Sequence, residues 1–234
     1  MDIKGIIFDY GGTIDTNGIH WGELIGEEYR KAGVSIEKKL FREAYVYAER
    51  ALAKAPIITP DDTFNTLLHK KTALQAQYLE EAGTPIDSAK AKEIAEGCYK
   101  RVLDTLKISR SIVEKLSQKY PTVLVTNFYG NMPVVLKEFS LDHCFGQIIE
   151  SAVVGLRKPD PALFAKGVES LGLHPQDVVV IGDSYRKDIY PARTLGCKAV
   201  WLKNICWEEE PIISGAEPTA IISSIEELEA LIIP

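Results

Sequence analysis

Four short segments of the chain carry residues whose types and order could do chemistry on an anion. Asp9–Tyr10–Gly11–Gly12–Thr13 follows a mostly apolar run, Met1–Phe8, of strand length. A carboxylate at the carboxyl edge of a buried strand stands where open α/β sheets bind ligands. The glycines beside it free backbone N–H groups to approach an anion closely. Thr126–Asn127 ends a second apolar run, and Lys158–Pro159–Asp160 lies in a loop. Gly182–Asp183–Ser184 follows a third run, with Asp188 five residues beyond Asp183. Each segment alone also has an ordinary reading: a helix cap, a turn, a solvated lysine, the start of the next helix. Their order and positions together favour a shared site with Asp9 at its centre.

Convergence requires a parallel sheet, and the hydrophobic rhythm predicts one. Thr122–Thr126, Gln147–Glu150, Val178–Ile181, Ala199–Leu202 and a weak Ala220–Ile222 read as strands. They alternate with helical patterns over Ser109–Tyr120, Met132–Phe139, Pro161–Leu171, Arg186–Leu195 and Ile225–Ile232. All carboxyl edges of such a sheet face one way. Between about Trp21 and Tyr99 the character changes. Trp21–Ala32, Ile36–Leu52, Asp61–Ala82 and Ser88–Leu106 show helical spacing, punctuated by Gly33, Ala55–Pro56 and Gly83–Thr84–Pro85. Leu67, Leu68, Leu74, Tyr78 and Leu79 form one stripe, and Phe41, Tyr45 and Tyr47 read as core of the module. The expected fold class is therefore α/β: a Rossmann-like parallel sheet flanked by helices, with an inserted all-helical domain. The α/β core would comprise residues 1–15 and 105–234, and the helical insert 16–104.

Composition bounds the partners. A chain of 234 residues with net charge −6 is a poor match for nucleic acid or an anionic membrane surface. An anionic small molecule stays open, because one lysine and one metal ion reverse the field inside a pocket. No apolar run approaches the roughly 18–20 residues that span a bilayer, and no signal peptide is read at the N-terminus. Cys98, Cys144, Cys197 and Cys206 show no CxxC spacing and read as reduced packing residues in a cytoplasmic protein.

The four segments, in this order and with a helical insert after the first, resemble the haloacid dehalogenase-like (HAD) superfamily of phosphatases and related hydrolases. The insert resembles that family's C1-type cap. The resemblance implies a Mg²⁺-dependent phosphate-ester hydrolase acting on a small phosphorylated metabolite through an aspartyl-phosphate on Asp9. Asp9, the carbonyl of Gly11 and Asp183 would hold Mg²⁺, with Asp188 ligating or supporting. Thr126 and the backbone after it would bind phosphoryl oxygens together with Gly12 and Asn127, and Lys158 would neutralise charge. Physics asks for such a set. A carboxylate approaching a phosphate dianion meets about 4 kcal/mol of repulsion per charge pair at ~4 Å and an effective dielectric near 20. A dication and an ammonium offset it.

One position departs from the family pattern. Most phosphatases of the family carry a second Asp two residues after the nucleophile, as general acid and base, and here that residue is Gly11. The expected reading is a phosphatase that manages without it. The alternatives are C–P cleavage like that of phosphonoacetaldehyde hydrolases with a cap lysine such as Lys54, dehalogenation, or a catalytically silent binding fold. Substrate-choosing residues are sought in the insert at His20, Trp21, Arg50 and Lys54. Trp201, Trp207 and the apolar terminal helix suit a monomer or a homodimer.

Overall fold

The computed structural model describes residues 1–54 and 56–233. Six strands form one parallel sheet: β1 (Gly5–Phe8), β2 (Thr122–Thr126), β3 (Gln147–Glu150), β4 (Val178–Gly182), β5 (Lys198–Leu202) and β6 (Ala220–Ile222), in the order β3-β2-β1-β4-β5-β6. β1 therefore sits in the middle, between β2 and β4, and every residue of these three strands is buried. Successive side chains alternate between the two faces. Ile6 and Phe8 join one core with Leu124, Val179, Ile181 and Val200. Ile7 joins the opposite core with Val123, Val125, Val178 and Val180, against Phe164 and Val168 of the helix Pro161–Leu171. A sheet covered on both faces explains why the strands read as continuous apolar runs.

The helical stretch after β1 folds as α1 (Trp21–Lys31), α2 (Lys38–Lys54), α3 (Phe64–Glu81) and α4 (Ser88–Lys119). Local chemistry starts three of them. The His20 Nδ1 accepts from the Gly22 N–H, the Thr63 hydroxyl from Thr66 and the Asp87 carboxylate from Ala89. The remaining helices are α5 (Met132–Glu138), α6 (Ser151–Val154), α7 (Pro161–Leu171), α8 (Tyr190–Thr194) and α9 (Glu227–Ile232). Among the described residues no helix is long and apolar enough to cross a membrane.

Two expectations change. Ser88–Leu106 and Ser109–Tyr120 are one helix, α4, of 32 residues, so the expected boundary at 105 falls inside a continuous rod. No glycine or proline lies between Gly97 and Pro121 to break it. It packs on α1 and α3, where Arg101 pairs with Glu27, and reaches α9 near its end, where Lys115 pairs with Glu229. Ser109, fully buried at the changeover, donates its hydroxyl to the Ile14 carbonyl at 2.7 Å. The helix expected over Arg186–Leu195 instead opens with a π-helical turn, Tyr185–Ile189, before α8. Pro191 withholds the N–H that an α-helical bond back to Lys187 needs.

Replacing Ser109 with Ala leaves the buried Ile14 carbonyl without this donor. A loss of about 1–3 kcal/mol is expected, read as a lower midpoint in urea unfolding of the variant.

Candidate active site

The carboxyl ends of β1, β2 and β4 open into a cleft of ≈ 370 Å³ roofed by the helical layer. Asp9 leaves β1 at 5% exposure. Its Oδ1 lies 2.5 Å from Lys158 Nζ, and its Oδ2 accepts from the Thr13 hydroxyl at 3.0 Å. The same ammonium reaches Asp188 Oδ1 at 2.7 Å. Asp188 is brought there by the π-helical turn, and its Oδ2 accepts from the Ser184 N–H at 3.1 Å. Asp183 stands at the end of β4, with its carbonyl held by the Trp201 indole at 2.8 Å. Asp9, Asp183 and Asp188 each offer a carboxylate oxygen within 4.8 Å of one another.

Charge in this volume is unbalanced. Burial pushes Asp9 up to about 6 against the pull of Lys158, with Asp188 adding to the rise. Asp183 is raised well above the carboxylate range by burial, and then by Asp188 and Asp9. Burial alone would lower Lys158, yet the two carboxylates outweigh it and keep the ammonium charged. Three carboxylates beside one ammonium would, if all were ionised, leave an excess negative charge in a site of oxygen donors, and the raised Asp9 and Asp183 reflect it. That donor set suits a hard dication such as Mg²⁺. Asp9, Asp183, Asp188 and the Gly11 carbonyl are the groups that would hold it.

The cleft brings together most of the residues singled out in the sequence: Asp9, Gly11, Gly12, His20, Trp21, Thr126, Asn127, Lys158, Asp183 and Asp188 all line it. Two of them do something other than expected. The Gly12 N–H donates to Asp15 Oδ1 at 2.7 Å and is not free for an anion. Gly12 has φ +98°, and a Cβ there would collide with the Asp183 carboxylate, so glycine is required for that close approach. Asn127 is a clamp: its Nδ2 donates to the Lys158 carbonyl at 3.1 Å and its Oδ1 accepts from the Lys158 N–H at 2.9 Å. Both ends of its amide are engaged in holding the lysine loop beside β2.

Arg50 and Lys54 are corrected. They line a separate groove with Glu37, Tyr47 and Tyr78 on the outer side of α2. The face of α2 toward the cleft carries Arg42, Tyr45 and Glu49. Arg50 is one residue past Glu49, a rotation of about 100° around the helix, which turns it and Lys54 away.

Several cleft residues escaped the sequence reading. Lys71 of α3 is 5% exposed and lies 2.7 Å from Glu49 Oε1. A signal existed, since Lys71 falls four and three residues after Leu67 and Leu68, placing a charge on the apolar stripe. The Tyr129 hydroxyl donates to Glu49 Oε2 at 2.8 Å. Asp15 is fully buried and accepts from the Trp21 indole at 3.0 Å as well as from Gly12. Burial still pushes it up to about 7 against those two donors. Trp207, from the loop after β5, closes one side of the cleft. Its ring centroid is 4.5 Å from that of Tyr45 and 4.7 Å from that of His20, and the Arg42 guanidinium sits over it at 4.9 Å. Trp201, by contrast, is a core residue at 1% exposure.

His20 lines the cleft as the N-cap of α1. Burial lowers it to about 4, and the positive charge of Lys187 acts in the same direction. A ring whose folded value lies below the ordinary 6.5 stabilises the fold fully above 6.5 and loses that contribution as pH falls toward 4. His20→Asn keeps a capping acceptor and removes the titration. The expected outcome is a constant stability offset above pH 6.5, then a relative loss by the wild type between pH 6.5 and 4. Thermal melts of both proteins across that range measure it.

A family model described as haloacid dehalogenase-like hydrolase matches residues 3–196. A phosphoserine phosphatase of Thermus thermophilus is 29% identical over 159 residues, covering 65% of this chain and 61% of that protein. A phosphoglycolate phosphatase of Aliivibrio fischeri is 26% identical over 239 residues, covering 99% of this chain and 97% of that one. The chain thus spans less than two thirds of the Thermus relative and nearly all of the Aliivibrio one. Among solved structures, a dehalogenase with an intermediate complex shares the fold, with a TM-score of 0.65 at 16% identity over 98% of this chain and 97% of that chain. The extent of the family match, together with a parallel sheet that gathers Asp9, Lys158, Asp183 and Asp188, gives the conclusion that this chain belongs to the haloacid dehalogenase-like hydrolase family.

Proposed function

We propose that the chain is a phosphate-ester hydrolase acting on a small phosphorylated metabolite, with Asp9 as the nucleophile. One observation carries the reading: the Asp9 carboxylate, oriented by Lys158 at 2.5 Å and Thr13 at 3.0 Å, faces the cleft beside Asp183 and Asp188. The phosphatase names of the Thermus and Aliivibrio relatives point the same way. A bound Mg²⁺ would supply positive charge against the phosphate dianion. An Asp9 oxygen attacks phosphorus, the ester P–O bond breaks, and the leaving oxygen takes a proton from solvent. Water then attacks phosphorus, giving up a proton to solvent as the bond to Asp9 breaks, and inorganic phosphate leaves with Asp9 regenerated. Lys158 stays protonated between Asp9 and Asp188, so its role is electrostatic. Thr126, buried at the end of β2, is the hydroxyl on the opposite side for phosphoryl oxygens. In this reading the helical layer from Trp21 into α4 is the cap, and Tyr45, Glu49 and Lys71 are its contribution to the cleft.

C–P cleavage through a Schiff base finds less support. It needs a neutral amine in the cleft, and Lys54 lines the outer groove. Lys71 is in the cleft, but the Glu49 carboxylate outweighs the effect of burial and holds its ammonium above the ordinary range.

Two predictions follow from the roles. Asp9→Asn is expected to lower kcat on p-nitrophenyl phosphate in Mg²⁺ by roughly 10³-fold or more; a folded variant with unchanged turnover sinks the mechanism. Gly11→Asp tests the missing acid and base. A Cβ at Gly11 meets no atom within 4 Å, so the first side-chain atom is accommodated without a clash. General acid–base catalysis contributes about 10²–10⁴-fold where it is positioned. The variant should therefore hydrolyse alkyl phosphates faster, with a smaller gain on aryl phosphates whose leaving groups need no proton. Equal rates of variant and wild type on both would show that this step does not limit turnover.

A further inference from the structure

The pair formed by buried Lys71 and half-buried Glu49 has no part in the chemistry at Asp9, yet both residues line the same cleft. Lys71 Nζ sits over the faces of Trp21 at 5.5 Å and Tyr129 at 5.7 Å, with Glu49 Oε1 at 2.7 Å. Burial alone would raise Glu49, but the Lys71 ammonium and the Tyr129 hydroxyl outweigh it and keep the carboxylate ionised. The roof of the cleft thus presents one charged donor and one charged acceptor side by side, with no net charge. Asp15 adds a further acidic group nearby, and the other roof cation, Arg42, is paired with Glu208. The cations Arg157, Arg186 and Lys187 also border the cleft, but they are exposed on its rim.

We infer that the Lys71–Glu49 pair, held between Trp21 and Tyr129, binds a neutral, hydroxyl-bearing leaving group, so that the preferred substrate is the phosphate monoester of a polyol or sugar. A hydroxyl both donates and accepts, and adjacent hydroxyls can accept from the ammonium while donating to the carboxylate. A leaving group with its own carboxylate, as in phosphoglycolate or phosphoserine, would instead meet Glu49 and Asp15 with no unpaired roof cation among the described residues. This inference rests on the phosphatase reading and deepens it.

The test is a kcat/KM panel in Mg²⁺ with glycerol 1-phosphate, ribose 5-phosphate, glucose 6-phosphate, phosphoglycolate, O-phosphoserine and p-nitrophenyl phosphate. The wild type should favour at least one polyol or sugar phosphate over both carboxylate esters by roughly 10-fold or more. Glu49→Gln leaves the buried Lys71 charge unpaired and Lys71→Met leaves the half-buried Glu49 unpaired, which endangers folding, so the double variant E49Q/K71M, which removes both charges, is measured beside them with circular dichroism. In the folded double variant the ratio of polyol-phosphate to p-nitrophenyl phosphate kcat/KM should fall roughly 10-fold or more. A wild-type preference for phosphoglycolate or phosphoserine overturns the subsite while leaving the phosphatase reading intact, as does an unchanged ratio in the folded double variant. Absence of turnover on every ester removes the phosphatase reading and the subsite together.

Discussion

A single ammonium holds the site together. Lys158 Nζ lies 2.5 Å from Asp9 and 2.7 Å from Asp188, in a place where its own side chain is 2% exposed. Without it, two carboxylates would share a dry volume with Asp183 close by, an arrangement that strongly favours their protonation. With it, Asp9 can stay ionised and pointed into the cleft. The rest of the centre serves this geometry. Asn127 grips the Lys158 backbone on both sides, Thr13 fixes the second oxygen of Asp9, and the π-helical turn carries Asp188 inward.

Those groups come from distant points of the chain, and what unites them is the parallel sheet. β1, β2 and β4 are adjacent, so Asp9, Thr126 and Asp183 leave their strands at one edge. The helical layer is joined to that frame by packing as well as by covalent connection. Tyr10 and Ile14 share a continuous core with Leu24, Phe64 and Val102, and α4 runs through both layers as one rod. Floor and roof of the cleft are therefore positioned by one body of close-packed apolar side chains, which transmits small displacements instead of absorbing them. The loop carrying Trp207 adds a third wall, with its ring edge-on to Tyr45 and tilted against His20.

The floor and roof of the cleft differ in how plainly they are written in the chain. The floor is local. Asp9, Thr126 and Asp183 each end an apolar strand, and a strand ending is a feature of a few adjacent residues. The roof is not local. Glu49 and Lys71 lie on different helices 22 residues apart, and each looks like an ordinary surface charge until α2 and α3 pack against one another. Arg50 and Lys54 were more conspicuous as an i, i+4 pair, but the side of α2 that meets the cleft depends on the rotation of the helix about its axis. No pattern within α2 alone specifies that angle.

By itself the sequence determined the α/β class, the strand order along the chain, the helical insert and the acidic centre with its lysine. Hydrophobic period and strand-end chemistry are short-range properties, carried by the residues themselves. Only the tertiary structure decided that α4 is one helix and not two, and that the Gly12 N–H is taken by Asp15. It also decided that Asn127 is a clamp and that Lys71 and Glu49 line the cleft. Each of those outcomes depends on which groups meet across the fold after burial, where an unpaired charge or carbonyl is costly enough to select the partner.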